Sequence, residues 1–235
     1  MLSLAQATDR EPGSARSQAT FAYEAVRGDI LAGRHPPDKK LKILDLANDL
    51  GVSPGAVREA LSRLVPEQLV VSRDQRGFAV APLSIADLED LTDLRCEVEA
   101  IALRRSVARG DVEWETGLVA AAHRLRVTPI LAPGKTYVNP DWVAAHAGFH
   151  MALVSACGSN RLLALHSQLY EQSERYRGMT AQIEPNRDVE AEHREIVELA
   201  LARDAQGLVD AVVQHIRTTT TLIVAGAQRA ASAAS

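Results

Sequence analysis

Aromatic residues are scarce in this chain: only 4% of its 235 residues are Phe, Trp or Tyr. Ala, Leu and Val carry most of the apolar content instead, a balance that favours helices over sheet-built folds. Cysteine is equally thin. Cys96 and Cys157 lie far apart and form no Cys-x-x-Cys pair, so nothing points to a disulfide framework of the secreted kind. No uninterrupted apolar run reaches the roughly 18–20 residues needed to span a bilayer, so no membrane segment is expected. The opening "MLSLAQATDREPGSARSQAT" has no basic start leading into a long apolar stretch and does not read as a signal peptide. Residues 1–16 are expected to be a disordered tail, and the protein cytoplasmic. A strong charge of either sign is missing too, with 26 Lys and Arg against 30 Asp and Glu. The imbalance is uneven. Residues 17–82 hold nine Lys and Arg against eight Asp and Glu, which leaves the acid on the remainder. A weakly basic segment on an acidic body permits nucleic-acid binding without demonstrating it.

What is present falls into two parts. In "SQATFAYEAVRGDILAG", residues 17–33, Phe21, Ala22, Ala25, Val26, Ile30 and Leu31 recur at a helical period closed by Gly33. "RHPPDKK" reads as a loop, and "LKILDLANDL" as a short helix. After "GVS" comes a second helix, "PGAVREALSRLV", with Ser53 as N-cap, Pro54 at the first helical position and Pro66 at the exit. "LVVSRDQRGFAVAPL" reads as two strands, about 69–73 and 77–81, around a turn with Gly77. Helix, helix-turn-helix and hairpin in that order make a winged helix over residues 17–82. Beyond it the strand pattern stops. Six helices are expected, at about 84–109, 111–127, 139–157, 159–178, 186–203 and 205–230, packed as an antiparallel bundle over residues 83–230. The expected fold is mainly α: a winged helix-turn-helix with a small β-hairpin, then an all-α six-helix bundle.

The helix-turn-helix signal is the spacing of Ala47 and Gly51 among Leu46, Leu50, Val52, Val57 and Ala60. A small residue lets two helices approach, and glycine permits the turn between them. An ordinary helical hairpin is the alternative. The stretch "ILDLANDLGVSPGAVREALSRLVPEQLVVSRDQRGFAV", with the helix before it, resembles the GntR family of bacterial transcription regulators. That resemblance implies a recognition helix in the major groove and a wing tip against the backbone or minor groove. Carried over by position, it places Ser53 and Arg58 on phosphate or bases and Arg76–Gly77 at the wing tip, with Lys42 and Arg63 as phosphate partners. Arg58 has a structural alternative, an ion pair with Glu59 or Asp49. Where many relatives have an arginine that could read guanine, this chain has Pro54-Gly55-Ala56. Two-fold symmetry would match a near-palindromic operator.

The second half concentrates histidine on apolar faces. In "HAGFH", residues 146–150, the two imidazoles stack one turn apart on the face that also carries Trp142, Phe149, Leu153 and Cys157. His193 shares a face with Val189, Ile196 and Ala200; His215 shares one with Leu208, Val212, Thr219 and Leu222. A single histidine so placed is usually a satisfied core residue. Four on three helices change the balance, because one cation satisfies four imidazoles that would otherwise each need a partner. Neutral nitrogen ligands suit Zn²⁺ first, with Ni²⁺, Cu²⁺ or Fe²⁺ possible.

This half resembles the FCD domain of FadR-type GntR regulators, and six helices rather than seven resemble its VanR-like subgroup. Many members carry Asp-x-x-x-His on one helix, a histidine after Glu on a later one and a final histidine a helix onward. "HAGFH", "EAEHREIVELA" and "VVQHI" follow that order. The resemblance makes His150, His193 and His215 metal ligands directly and puts His146 where the family usually has aspartate. Losing that charge shifts the expected preference from Mn²⁺ toward Zn²⁺ or Ni²⁺. It further implies a homodimer, and a metal at the floor of an effector cavity where open positions take a small carboxylate. Arg95 resembles the family's cavity arginine, suited to clamping that carboxylate; its alternative is an ion pair with Glu99 one turn on. Tyr176, Arg175 and His166 are secondary candidates for the pocket, and Asn160 for a helix cap.

Three functions compete. The first is a dimeric, metabolite-responsive DNA-binding regulator, read as a repressor. The second keeps DNA binding but makes the metal purely structural. The third is a metal-dependent enzyme, for which a histidine-bound metal could activate water. Against the enzyme, Glu190-x-x-His193 has no second Glu-x-x-His, and no general base accompanies the metal set.

Overall fold

A computed structural model describes residues 15–73, 77–132, 134, 138–179 and 187–233. Most of the expected N-terminal tail, Arg76 with its expected place at the wing tip, and the break at "IEPN" lie outside the described residues. The chain divides into two compact units, residues 1–82 and 83–235.

The first unit opens with α1 (Ala15–Leu31). Its apolar stripe, Ala19, Ala22, Val26 and Ile30, is fully buried, and α1 packs on α3 (Pro54–Leu64). Between them lies α2 (Ile43–Leu50), which ends at Gly51 in the left-handed conformation (φ 66°). The Gly51 N–H returns to the carbonyls of Ala47 and Asn48, closing the helix so that the chain can turn into α3. Ser53 caps α3: its hydroxyl accepts from the Ala56 N–H at 3.2 Å, and Pro54 fills the first helical position.

Strands β2 (Val70–Arg73) and β3 (Gly77–Val80) pair antiparallel, from Val70 opposite Val80 to Arg73 opposite Gly77. The structure adds a strand that the sequence reading assigned to a loop and the start of a helix. Residues Lys40–Leu41 form β1, antiparallel to β3, so the sheet order is β1-β3-β2. The reason is tertiary. β3 has a free edge, and pairing there buries Leu41 beside Val26, Leu61 and Val80. Two residues carry no periodicity from which this could be read.

Among the described residues, the second unit is six helices: α4 (Ile85–Arg109), α5 (Val112–Val127), α6 (Pro140–Val154), α7 (Asn160–Met179), α8 (Val189–Leu201) and α9 (Ala205–Ala233). Their starts are chemically marked. Ser84, Asp111, Asn139 and Asp188 each accept a backbone N–H of the first turn that follows. At α7 the capping hydroxyl is that of Ser159, bonded to the Leu162 N–H, and Asn160 is the first helical residue rather than the cap. α4 packs on α9, α7 and α6; α5 on α6 and α8; and α8 on α9. The core runs through Leu103, Leu118, Phe149, Leu153, Ile196, Leu208 and Val212, all essentially inaccessible to solvent. Among the described residues no helix is long and apolar enough to cross a membrane.

Candidate functional site

The six-helix unit brings its four expected histidines together. α6 contributes His146 and His150, α8 His193 and α9 His215, and one ligand nitrogen from each lies within 4.8 Å of the others. All four are buried. The Nε2 atoms of His146 and His150 are 3.2 Å apart, close to the edge of about 3.3 Å that two nitrogens span on a tetrahedral zinc with bonds of 2.0–2.1 Å. Nε2 of His193 is buried without a hydrogen-bond partner. An unpaired imidazole nitrogen inside a bundle is costly, and a cation would satisfy it. His215 has the outer-sphere partner typical of a ligand: its Nδ1–H donates to Glu192 at 2.7 Å, which aims Nε2 at the cluster. Glu192 is gripped in turn by two nitrogens of Arg187, each at 2.7 Å. These residues fit a divalent metal of the zinc type.

Electrostatics prepare the cluster for a cation. Burial, aided by neighbouring cations, holds His146 and His150 well below the usual imidazole range. Burial and His215 bring His193 down to about 3. His215 is also lowered by burial, with Glu192 pulling the other way. Each ring is therefore neutral at pH 7, the form a metal requires. For Glu192, burial works upward, but the hydrogen bonds from Arg187 and His215 outweigh it and hold the carboxyl at about 2.

A small cavity of about 20 Å³ adjoins the histidines, lined among others by Thr92, Arg95, His146, His150, Arg177 and His215. That is room for about one water. Arg95 is buried there with its guanidinium over the Tyr170 ring, 4.8 Å from the centroid. It lines that cavity and also pairs with Glu99, whose Oε1 is 3.5 Å from its Nη2. Glu99 also lies 3.1 Å from His166 Nε2, so His166 sits behind Glu99 and does not line the cavity. Tyr176 hydrogen-bonds to Asp87 and packs with Leu88 and Ile223; neither it nor Arg175 lines the cavity.

Sequence reasoning missed Arg177, which lines the cavity, and Tyr170, whose hydroxyl reaches His146. With Ser173 and Glu174 they follow the i, i+3, i+4, i+7 stripe of α7. That spacing was readable, but Arg175 and Tyr176 lie off it. Glu192 was missed because a glutamate beside a histidine in sequence usually faces another way on a helix.

In the first unit, α3 exposes Arg58, which forms no ion pair with Glu59, Asp49 or any other described residue. Arg63 sits 4.2 Å over the Tyr23 ring with its Nη1 3.5 Å from Thr20 Oγ1. Lys42, exposed, lies 3.4 Å from the Asp45 carboxylate. Ser53 spends its acceptor on the helix cap, and its hydroxyl proton stays available. Gly77 opens β3 at φ 81°, a backbone that a residue with a Cβ would resist.

Sequence and structural comparisons fit this architecture. Residues 18–80 match the family of bacterial regulatory proteins named gntR, and residues 90–218 match the FCD domain. The chain is 39% identical over 227 residues to an uncharacterized HTH-type transcriptional regulator, BphR, of Paraburkholderia xenovorans, covering 94% of this chain and 91% of that one. It is 32% identical over 206 residues to the HTH-type transcriptional repressor GlaR of Escherichia coli, covering 86% and 93%. Among solved structures, E. coli McbR/YncC superposes with a TM-score of 0.72 at 17% identity, over 88% of this chain and 97% of that one, a likeness of fold. A winged helix matched to a DNA-binding family and a helical unit matched to its partner domain, along nearly the whole length of named regulators, leave no place for the enzyme reading. The chain belongs to the GntR family of bacterial transcription regulators, in the branch whose C-terminal half is an FCD domain.

Proposed function

We propose that this regulator is a metal-containing, carboxylate-responsive repressor that binds a near-palindromic operator as a homodimer in the cytoplasm. The observation that carries the reading is a cluster of four neutral, buried imidazoles, three of which (His146, His150 and His215) line one cavity with Arg95 and Arg177. His146, His150, His193 and His215 would hold the metal, Zn²⁺ by ligand chemistry and Ni²⁺ next. A metal held there would supply Lewis-acid attraction for a carboxylate oxygen, and Arg95 would orient that carboxylate through paired N–H donors. The acid then favours one of two arrangements of the bundle, and DNA affinity follows by linkage. Repression is the sense borne by the relative named GlaR and by a probable D-xylose operon repressor of Paenarthrobacter nicotinovorans, 27% identical over 188 residues. On the operator, Arg58 at the exposed face of α3 would reach base edges or phosphate. Ser53, Lys42, Arg63 and the wing tip at Arg76–Gly77 would hold the backbone.

A second reading has its own support. A cavity of about 20 Å³ admits no organic acid without movement of its walls, and this favours a metal that is purely structural. Thermal unfolding with and without a chelator, in the presence of a panel of small carboxylic acids, separates the two. The effector reading predicts that metal raises Tm and that an acid raises it further only when metal is present; a structural metal predicts the first shift alone. Failure to protect any DNA from nuclease digestion, including the promoter region nearest its own gene, would sink both.

A further inference from the structure

The His146 ring is held in an arrangement with a chemical consequence. Its Nδ1 lies 3.1 Å from Nη1 of Arg177 and 2.8 Å from the Tyr170 hydroxyl. A guanidinium has only donors, and no carboxylate faces this Nδ1 as Glu192 faces that of His215, so here Nδ1 is placed to accept. A neutral imidazole that accepts at Nδ1 carries its proton on Nε2. That Nε2 faces Nε2 of His150 at 3.2 Å, a matched donor and acceptor, which puts the His150 proton on its Nδ1, a buried atom without a partner. His146 Nε2 is thus aimed at the metal position, yet in this arrangement it holds a proton where a ligand needs a lone pair. For His146 to bind metal through Nε2, the proton must leave Nε2 and one must be taken up at Nδ1. The Tyr170 oxygen can accept from Nδ1–H, but an N–H aimed at the Arg177 donors is unfavourable with no carboxylate between them, and moving Arg177 away relieves it.

Arg177 has somewhere to go. It lines the same cavity as Arg95, and its side chain is 23% exposed, held by Glu174 at 3.1 Å on its own helix and lying 5.7 Å from the Trp142 ring centroid. An anion in that cavity competes with His146 for its N–H groups. We propose that Arg177 is a positioning residue that couples the metal to the anion. Donating to His146 Nδ1, it keeps His146 out of the coordination sphere; drawn onto a carboxylate, it frees His146 to become the fourth ligand. Metal and acid then bind cooperatively, each raising affinity for the other by the same factor. The inference rests on the metal-and-carboxylate reading above and adds the residue that links its halves.

Zinc affinity of the full-length protein, measured by competition with a chromophoric chelator in chloride buffer, tests it, with acetate as the anion probe at matched ionic strength. Arg177→Met is expected to bind Zn²⁺ about tenfold tighter than wild type without acetate, the scale on which outer-sphere partners act. Arg177→Lys, which keeps charge and donors, should behave as wild type. Adding His146→Ala to Arg177→Met should remove the gain, whereas a gain from deleting a nearby positive charge would survive it. Acetate should tighten zinc binding in wild type and do little in Arg177→Met. With Co²⁺ as probe, the visible bands of Arg177→Met in chloride should match those of wild type in acetate. Independently of any variant, nitrogen-15 spectra of chelator-treated wild type should show His146 protonated at Nε2. An Nδ1–H tautomer, a gain that survives His146→Ala, or an Arg177→Met protein no tighter than wild type overturns the coupling and leaves the metal reading standing. Wild type that binds no zinc overturns both.

Discussion

At the scale of single residues, the candidate metal centre depends as much on what touches the histidines as on the histidines themselves. Glu192 is the clearest case: it accepts from His215 Nδ1 while Arg187 holds it by two hydrogen bonds. A carboxylate there raises the basicity of the imidazole and fixes which nitrogen faces the metal. Glu192→Gln keeps the shape and an acceptor oxygen but removes the charge. We expect it to weaken Zn²⁺ binding by about tenfold, read by chelator competition, with helical content unchanged by circular dichroism. The four clustered histidines could be found from sequence because each sits on an otherwise apolar helical stripe, where an imidazole stands out. Glu192 and Arg187 could not, since a charged residue near a helix start is ordinary and only the packing of α8 on α9 brings them to His215.

At the scale of elements, the helix-turn-helix is governed by local chemistry. Gly51 is left-handed at the end of α2, Ser53 caps α3 and Pro54 starts it, so three of four consecutive residues encode the turn. A Cβ added at Gly51 would meet nothing within 4 Å. The whole cost of Gly51→Ala is therefore backbone strain, about 1–2 kcal/mol for a left-handed residue with a side chain. Chemical denaturation should show that loss in the transition of the winged-helix unit, leaving the transition of the six-helix unit in place. The two-residue strand β1 is the opposite situation. Its residues have no intrinsic pattern, and its existence depends on the edge that β3 offers.

At the scale of the whole molecule, burying four imidazoles makes stability depend on pH. Their folded-state values lie below the usual imidazole value of about 6.5, with His193 down to about 3. The unfolded chain therefore binds protons below pH 6.5 that the folded chain refuses. The sign follows: the stability is complete above about pH 6.5 and is lost as pH falls through that value toward the folded-state values. Glu192, held at about 2, adds a loss of the same sign at lower pH, from the usual carboxylate range downward. Thermal melts of chelator-treated protein should show Tm falling steadily below pH 6.5. Replacing the cluster histidines by Gln or Leu should flatten that slope, whereas an unchanged slope would show that acid acts elsewhere. Zinc should raise Tm at neutral pH and lose that effect over the same acid range, because protons and metal compete for the same nitrogens.

The amino-acid sequence by itself determined the order of elements, their caps and which face of each helix is apolar. These depend on neighbours three or four residues apart, and the chain carries that information locally. It was thus enough to place His146, His150, His193 and His215 toward one core. Tertiary structure alone decided what those residues meet there. The third strand, the face of α7 that turns Tyr170 and Arg177 rather than Arg175 and Tyr176 toward the histidines, and the grip of Arg187 on Glu192 all join residues far apart along the chain. The same holds for the contact between His146 and Arg177, 31 residues apart, which forms only once α6 and α7 have packed.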